Sequence, residues 1–338
     1  MSSLVFVSNS DDVAAIRNLA ELTTPMTLRV AVTLGLPDKL TGDGATVDQV
    51  SAELDLAPIG VELVLNHLAT LGMVERTDAV FRLTGFGANL RSDADNGLTN
   101  FLHLDLAGGR AEMALIELRH SITTGEAGYA QRYGQDFWAD LAEQPRLRES
   151  FDQQMTDRFR EQVPKIVAGH DWSRFASIVD VGGGHGTLLA AILAAFPGVH
   201  GNLVDLDPTA TAAGDTFRAH QVDDRAKTTA VSFFDPLPAG ADAYLLCDIL
   251  HDWDDEHAHR ILARCVEALP RTGRILVIEQ VGGRHAATAF ELVMLAIFGG
   301  RERTLDEFGA FAAAHGLTLD GVTDVCDNRC LLEFGLRG

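Results

Sequence analysis

Between Leu245 and Leu262 the chain reads LLCDILHDWDDEHAHRIL, three histidines and a run of acids bounded by apolar residues. Side chains of these types ligate a metal, solvate the junction of a strand and a helix, or move a proton at one histidine. A second stretch with chemical content lies upstream. Asp180-Val-Gly182-Gly-Gly184-His-Gly186 follows an apolar run and reads D-x-G-x-G-x-G. A dinucleotide fingerprint beginning at Gly182 would need glycine at 187, where Thr187 stands, and no Gly-Lys-Ser/Thr follows to make a P-loop. Glycines at such a turn let the backbone approach a ligand closely and take positive φ. Asp205 ends the next apolar run, where a carboxylate can accept from both hydroxyls of a ribose.

Three regions must position these residues. Residues 1–97 are mostly helical by pattern: DDVAAIRNLAELTTPMTLRVAVTLGL carries acidic caps and apolar residues at helical spacing. TVDQVSAELDLAPIGVELVLNHLATLGMVERTDAVFRLTGFGANL then reads helix, turn, helix and a two-stranded wing, the pattern of a winged helix. Residues 98–168 read as helices rich in aromatics and Met, a helical linker contributing to a substrate pocket. Residues 169–338 alternate strands (ASIVDV, HGNLVDLD, AKTTAVSFFD, ADAYLLCDIL, GRILVIEQV) with helices and close on a terminal antiparallel pair. That alternation predicts an α/β fold with a doubly wound, largely parallel sheet covered on both faces.

Bulk properties exclude several classes. A formal charge of −21 disfavours nucleic acid. From Thr46 to Leu71 there is no Lys or Arg, so the would-be recognition helix has nothing to meet a phosphate. Its Val61, Leu63, Val64, Leu65 and Leu68 suit packing against another helix or subunit, so the winged region is expected to dimerise. No apolar run reaches the roughly 18 residues of a membrane span. The opening MSSLVFVSNSDD lacks the basic region of a secretory signal. Cys247, Cys265, Cys326 and Cys330 show no C-x-x-C spacing and read as reduced thiols of a cytoplasmic protein.

VDVGGGHGTLL, LVDLDP, SFFDPLP, ILHDWDDE and GGRERTLDEF, in this order and at these separations, resemble the S-adenosylmethionine-dependent O-methyltransferases of the plant caffeic-acid type. Within that family the chain looks closest to the bacterial members that tailor aromatic natural products. The resemblance spans nearly the whole chain and implies a class I methyltransferase (Rossmann-like) domain behind a winged-helix-like dimerisation domain. It implies S-adenosyl-L-methionine as cofactor and S-adenosyl-L-homocysteine as product. Gly182 and Gly184 would border the methionine part, Asp205 would hold the ribose, Ser232 and Phe233 would flank the adenine, and Asp180 and Leu206 would also belong to the cofactor site. Many relatives have an acid where Ser232 stands, and Cys247 falls where relatives carry Lys, Arg or Ser beside the cofactor.

The same resemblance assigns His251 as general base, with Glu279 and Glu302 beside it. Methyl transfer from a sulfonium is an in-line displacement, so the acceptor oxygen sits behind the methyl and loses its proton as the bond forms. A phenol near pKa 10 and an unperturbed histidine near 6.5 differ by about 3.5 units, or about 5 kcal/mol for complete prior transfer in water. The cofactor's positive charge lowers the phenol, and a carboxylate on the far ring nitrogen raises the histidine and fixes its tautomer. Either glutamate fits that role by sequence. A metal fits less well: His251 and His257 are divided by a turn, and His257 and His259 point apart on one helix. Asp254, Asp255 and Glu256 read as that helix's acidic first turn, with both histidines on its surface.

The acceptor pocket is expected to include Phe151, Met155, Asp252, Val293, Met294, Ile297 and Phe298. FELVMLAIFGG is apolar enough to favour a flat aromatic. Two alternatives stand beside methyl transfer: a fold repurposed for hydroxylation, decarboxylation or cyclisation, and a winged-helix small-molecule sensor.

Overall fold

Ile275 to Ile278 shows how the sheet of the larger unit is made. Ile275 and Val277 enter one core, Leu276 and Ile278 the other, so a continuous apolar strand feeds both faces at period two. Tyr244 and Leu246 alternate with Ala243 and Leu245 in the same way. The computed structural model describes residues 10–284 and 287–338, so most of the opening MSSLVFVSNSDD stretch lies outside the described residues. The chain divides into two compact units, Met1–Gly109 and Arg110–Gly338. The stretch expected as an intervening region is therefore shared. The helix Leu98–Leu102 stays with the first unit, and the helices from Arg110 onward belong to the second.

In the first unit, helices Thr23–Thr33, Val47–Leu54 and Pro58–Thr70 close over a core that includes Leu36, Leu40, Val50, Leu65 and Phe81. Thr46 caps the second of these helices reciprocally with Gln49, as a capping box. The wing has three strands rather than two: β1 (Ala45–Thr46), β2 (Val74–Thr77) and β3 (Val80–Leu83), in the antiparallel order β1-β3-β2. Strand β1 is too short to show alternation. Helix Pro58–Thr70 buries Val61, Leu65 and Leu68 but leaves Ile59 and Leu63 about two-thirds exposed (65% and 64%).

In the second unit, β4 (Ser177–Val181), β5 (His200–Asp205), β6 (Ala226–Ala230), β7 (Ala243–Cys247), β8 (Arg274–Glu279), β9 (Leu317–Cys326) and β10 (Arg329–Leu336) form one sheet in the order β6-β5-β4-β7-β8-β10-β9. The first five are parallel, and β10 runs antiparallel between β8 and β9. This is the doubly wound sheet expected. The order reverses at β4, so the carboxyl ends of β4, β5, β7 and β8 open on a shared crevice. Asp180, Asp205, Cys247 and Glu279 stand at those ends. No helix among the described residues is long and apolar enough to cross a membrane.

Candidate active site

Strand β7 ends at Cys247 and the backbone turns at Asp248, whose φ is +51°. A short 3-10 turn, Leu250–Asp252, follows. Two buried side chains hold its backbone from opposite sides. Glu279 Oε1 accepts from the N–H of Leu250 at 2.6 Å and of His251 at 3.3 Å. Arg303 donates to the carbonyl oxygens of Leu250 at 2.6 Å and Trp253 at 2.9 Å, and pairs with Asp255 at 2.8 Å. The GGRERT segment comes so near that a Cβ on Gly300 would lie 2.0 Å from the His251 carbonyl oxygen, so only glycine fits there. Its Glu302 thereby reaches the ring: His251 Nδ1 and Glu302 Oε1 are 3.0 Å apart. Glu302 orients the imidazole, and Glu279 holds its backbone. His251 Nε2 faces Asp252 Oδ1 at 3.3 Å.

Burial alone would push the His251 pKa down. Asp252, the hydrogen bond that the ring donates to Glu302, Glu279 and Asp248 outweigh it and carry it to about 10. Burial raises Asp252 and Glu279 each to about 7, against the opposing pull of His251. Oε2 of Glu279 and Oε2 of Glu302 are buried without a hydrogen-bond partner among the described residues. Protons on His251, Asp252 and Glu279 belong to the three together rather than to one residue. His251, Glu279 and Glu302 offer donor atoms within 4.8 Å of one another, a set that suits a shared proton and also brackets a small cation.

His257 and His259 join no such cluster among the described residues, although they are more than helix surface. His257 Nδ1 lies 2.8 Å from Asp254, which also caps the helix Asp255–Ala268, and its ring packs beside Trp253 and Phe234. His259 is half-buried, stacks on Phe311 at 4.0 Å and bonds His315 at 2.9 Å. Asp255 is exposed, as an acidic first turn requires, but its main partner is the buried Arg303.

At the cofactor end, Gly182 has φ +74°, and a Cβ there would meet Ile249 Cδ1 at 2.5 Å. Gly184 donates its backbone N–H to Asp205 Oδ2 at 2.9 Å, and Leu206 donates to Oδ1 at 2.7 Å. Asp180 lies buried beneath the turn, behind Gly183, and burial together with Asp205 raises it to about 7. Ser232 accepts from the Phe234 N–H at 3.2 Å, which leaves its hydroxyl proton free for a ligand, and Phe233 lies beside both Gly182 and Trp253. Burial pushes the Cys247 thiol well above its usual range, so it is a neutral neighbour. The sequence reading missed Arg148, whose guanidinium comes within 3.9 Å of Asp205.

Arg148, Phe151, Met155 and Arg158 share one face of the helix Pro145–Phe159. At 1.5 Å per residue that face runs roughly 15 Å, from the ribose acid toward His251. Phe151 packs edge-on against Phe137 and Trp138 at 5.5 Å each. Trp138 stacks on Phe298 at 5.3 Å and on Trp253 at 6.0 Å. Phe151 and Phe298 are thus in one aromatic wall, together with the unforeseen Trp138 and Trp253. On the helix Thr288–Phe298, Met294 and Ile297 are only 5% exposed, while Val293 is half-buried. Phe290, also unforeseen, lies 6.0 Å from the His251 ring. Alternation and motif order could not reveal these residues, because they converge only through the fold.

Residues 115–318 match the O-methyltransferase domain model, and residues 18–92 the O-methyltransferase dimerisation domain model. The chain belongs to the O-methyltransferase family. The 2,7-dihydroxy-5-methyl-1-naphthoate 7-O-methyltransferase of Streptomyces carzinostaticus is 42% identical over 90% of this chain and 92% of its own. The O-methyltransferase NcsB1 from neocarzinostatin biosynthesis, in complex with S-adenosylmethionine and 2-hydroxy-5-methyl naphthoic acid, superposes with a TM-score of 0.89 at 40% identity, covering 95% of this chain and 98% of that one. The aclacinomycin 10-hydroxylase RdmB of Streptomyces purpurascens is 35% identical over 94% of this chain and 89% of its own. This O-methyltransferase family takes S-adenosylmethionine as methyl donor, and the cradle of Gly182, Gly184, Asp205 and Phe233 has the shape and donor chemistry to hold it. By family and fold the chain is an S-adenosylmethionine-dependent O-methyltransferase.

Proposed function

We propose that this O-methyltransferase methylates a phenolic hydroxyl of a small polycyclic aromatic metabolite, with His251 as general base. One observation carries the reading. His251 is anchored at Nδ1 by Glu302, and the turn that carries it follows β7, whose carboxyl end opens on the crevice shared with the glycine turn and Asp205. S-adenosylmethionine, when bound, supplies an electrophilic methyl on a sulfonium. Asp205 would hold its ribose, Arg148 the carboxylate of its methionine part, and Ser232 and Phe233 its adenine. The aromatic wall of Trp138, Phe151, Trp253 and Phe298 suits a flat acceptor, as do the naphthoate acceptors of the relatives.

With its raised pKa, His251 rests as an imidazolium bound to Asp252. An entering phenol displaces the Asp252 carboxylate from Nε2, removing the largest influence that holds the proton there. The departing Asp252 carboxylate, itself raised to about 7 by burial, carries that proton away as the neutral acid, and the uncharged ring accepts the phenolic one as the oxygen attacks. Glu302 keeps Nδ1 protonated and takes up the charge that develops on the ring. Clamping of the 250–253 backbone by Glu279 and Arg303 fixes Nε2 in line, and orientation of this kind contributes more to the rate than proton transfer does. The His251–Glu279–Glu302 cluster works as a proton site without a metal.

The test is transfer of a labelled methyl from S-adenosylmethionine to a panel of naphthols and anthraquinone phenols, with and without excess EDTA. Transfer that survives EDTA and disappears in His251→Ala supports the reading; loss in EDTA makes the cluster a metal site. A hydroxylated or decarboxylated product would place the chain with RdmB-like chemistry instead. Val13, Ile16 and Leu19 form an exposed stripe on the helix Ser10–Ala20, spaced three apart, which supports a homodimer through the first unit. We place the enzyme in the cytoplasm, without nucleic-acid or membrane partners. A monomeric mass in solution at micromolar concentration would overturn the dimer.

A further inference from the structure

Arg158 ends the site-lining face of the helix Pro145–Phe159, and its surroundings do not satisfy it. Its guanidinium lies over the ring of Phe290, 4.9 Å from the centroid, and Phe290 in turn packs beside His251. The nearest carboxylate oxygen, Asp248 Oδ2, is 3.5 Å away, too far for a good hydrogen bond. That carboxylate is already occupied: Arg329 donates to its two oxygens at 2.8 and 2.5 Å. Arg158 has five N–H donors, makes no hydrogen bond among the described residues, and is only 26% exposed on its side chain. A half-desolvated guanidinium without hydrogen bonds is costly unless a partner arrives with a ligand. A planar fork supported on an aromatic face recognises a carboxylate at two oxygens.

The position of this fork gives it a role in acceptor choice. Phe290 neighbours both groups, with the guanidinium 4.9 Å and the His251 ring 6.0 Å from its centroid, so the fork and the base flank one aromatic side chain. Asp252, which faces Nε2, also feels the charge of Arg158. Arg329 is held by Asp248, and Arg303 is turned to the backbone and Asp255, whereas Arg158 makes no hydrogen bond among the described residues.

We propose that Arg158 is a specificity-determining residue that binds an ionised carboxylate on the acceptor, so that the preferred substrate is a hydroxyaryl carboxylate rather than a neutral phenol. This rests on the reading of the His251 crevice as the acceptor site. The carboxylate anchors one edge of the ring system at Arg158 and brings one particular hydroxyl to Nε2. A neutral acceptor of the same shape leaves the guanidinium without a hydrogen bond and binds without a fixed register.

The test compares 2,7-dihydroxy-1-naphthoate with 2,7-dihydroxynaphthalene, which carry the same hydroxyls and differ only in the carboxylate. Equilibrium binding to the cofactor-loaded enzyme is measured by calorimetry, and methyl transfer by product analysis, for the wild type, Arg158→Gln and Arg158→Lys. The wild type is expected to bind the acid at least 10-fold more tightly than the diol. Arg158→Gln is expected to lose 10- to 100-fold in affinity and in kcat/KM for the acid and a distinctly smaller factor for the diol, so that the preference for the acid falls at least tenfold. Arg158→Lys, which keeps the charge without the fork, should fall between. No preference in the wild type, or equal losses for both acceptors in variants that melt normally, overturns the proposal. Binding separates the two readings. Carboxylate-dependent binding without methyl transfer upholds Arg158 and refutes phenol methylation, whereas methyl transfer indifferent to the carboxylate does the reverse.

Discussion

His251 Nδ1 stands 3.0 Å from Glu302 Oε1, with both side chains closed to solvent. The carboxylate thus fixes which ring nitrogen keeps its proton, and the other nitrogen is left for the acceptor. The relationship depends on Gly300, because any Cβ there would drive the Glu302 segment off the His251 carbonyl.

Removing the two partners should therefore give graded losses. His251→Asn takes away the base and is expected to lower kcat by about 10²–10⁴-fold. Glu302→Gln keeps the shape but not the charge and should lower kcat by a smaller factor, on the order of tenfold to a hundredfold. Cofactor affinity, measured by calorimetry, should hold in both. A Glu302→Gln enzyme with wild-type kcat would show that the contact merely packs.

Asp252 should set the pH dependence. Its carboxylate stabilises the imidazolium and so raises the His251 pKa, which makes neutral His251 scarce at low pH. In Asp252→Asn that stabilisation is gone, the His251 pKa falls, and the rising limb of kcat/KM against pH should move at least one unit toward acid. Imidazole nitrogen shifts in the resting enzyme should follow the same displacement. A limb that stays put, or moves toward base, rules out Asp252 as the group that holds the proton at Nε2.

The sheet was legible in the sequence because buried parallel strands are written as short apolar runs with acids and glycines at their carboxyl ends. SIVDV, HGNLVD, AYLLC and RILVIE all became strands, and Asp180, Asp205, Cys247 and Glu279 all lie at their ends. The trio of His251, Glu279 and Glu302 was legible through motif order, but the division of labour between the glutamates was not. It depends on how close the 300–303 segment comes to the 250–253 turn, a tertiary distance with no local signature. Arg303 and Arg329 were invisible for a related reason. Arginines in a chain read as solvated charges, yet these two are fully buried because carbonyls and carboxylates from distant strand ends surround them. Trp138 was readable as a core aromatic, but not as the ring stacked on Trp253.

Asp205 should separate cofactor binding from chemistry. Its two oxygens already accept from Gly184 and Leu206, so it shapes the turn as well as facing the ribose. Asp205→Asn keeps the size and loses the charge-assisted bonds, which are worth about 1.5–3 kcal/mol. The dissociation constant for S-adenosylhomocysteine should rise by roughly 10- to 100-fold, as 1.4 kcal/mol is tenfold. At saturating cofactor, kcat should stay within a few-fold of wild type. Unchanged affinity would move the ribose site elsewhere.

Asp248 and Arg329 should matter to stability more than to binding. Burial would raise the Asp248 carboxyl, but the two hydrogen bonds from Arg329 and its charge bring it down to about 2. Asp248 also sits at positive φ, a conformation Asn tolerates, so Asp248→Asn removes the charge without straining the turn. Arg329 is then a fully buried cation without its counter-ion, which costs about 3–5 kcal/mol. In a unit of this size that lowers Tm by roughly 10 °C. The sign with pH follows from the depressed pKa. The stabilisation is present above the unfolded carboxylate value near 3.9 and is lost as pH falls through about 2, so the gap between wild type and Asp248→Asn should close in acid. Adding Arg329→Met should recover part of the loss, because the isolated charge goes with it. Additive losses in the double variant would mean the two side chains stabilise the fold separately, and the bidentate pair would then be geometry without coupling.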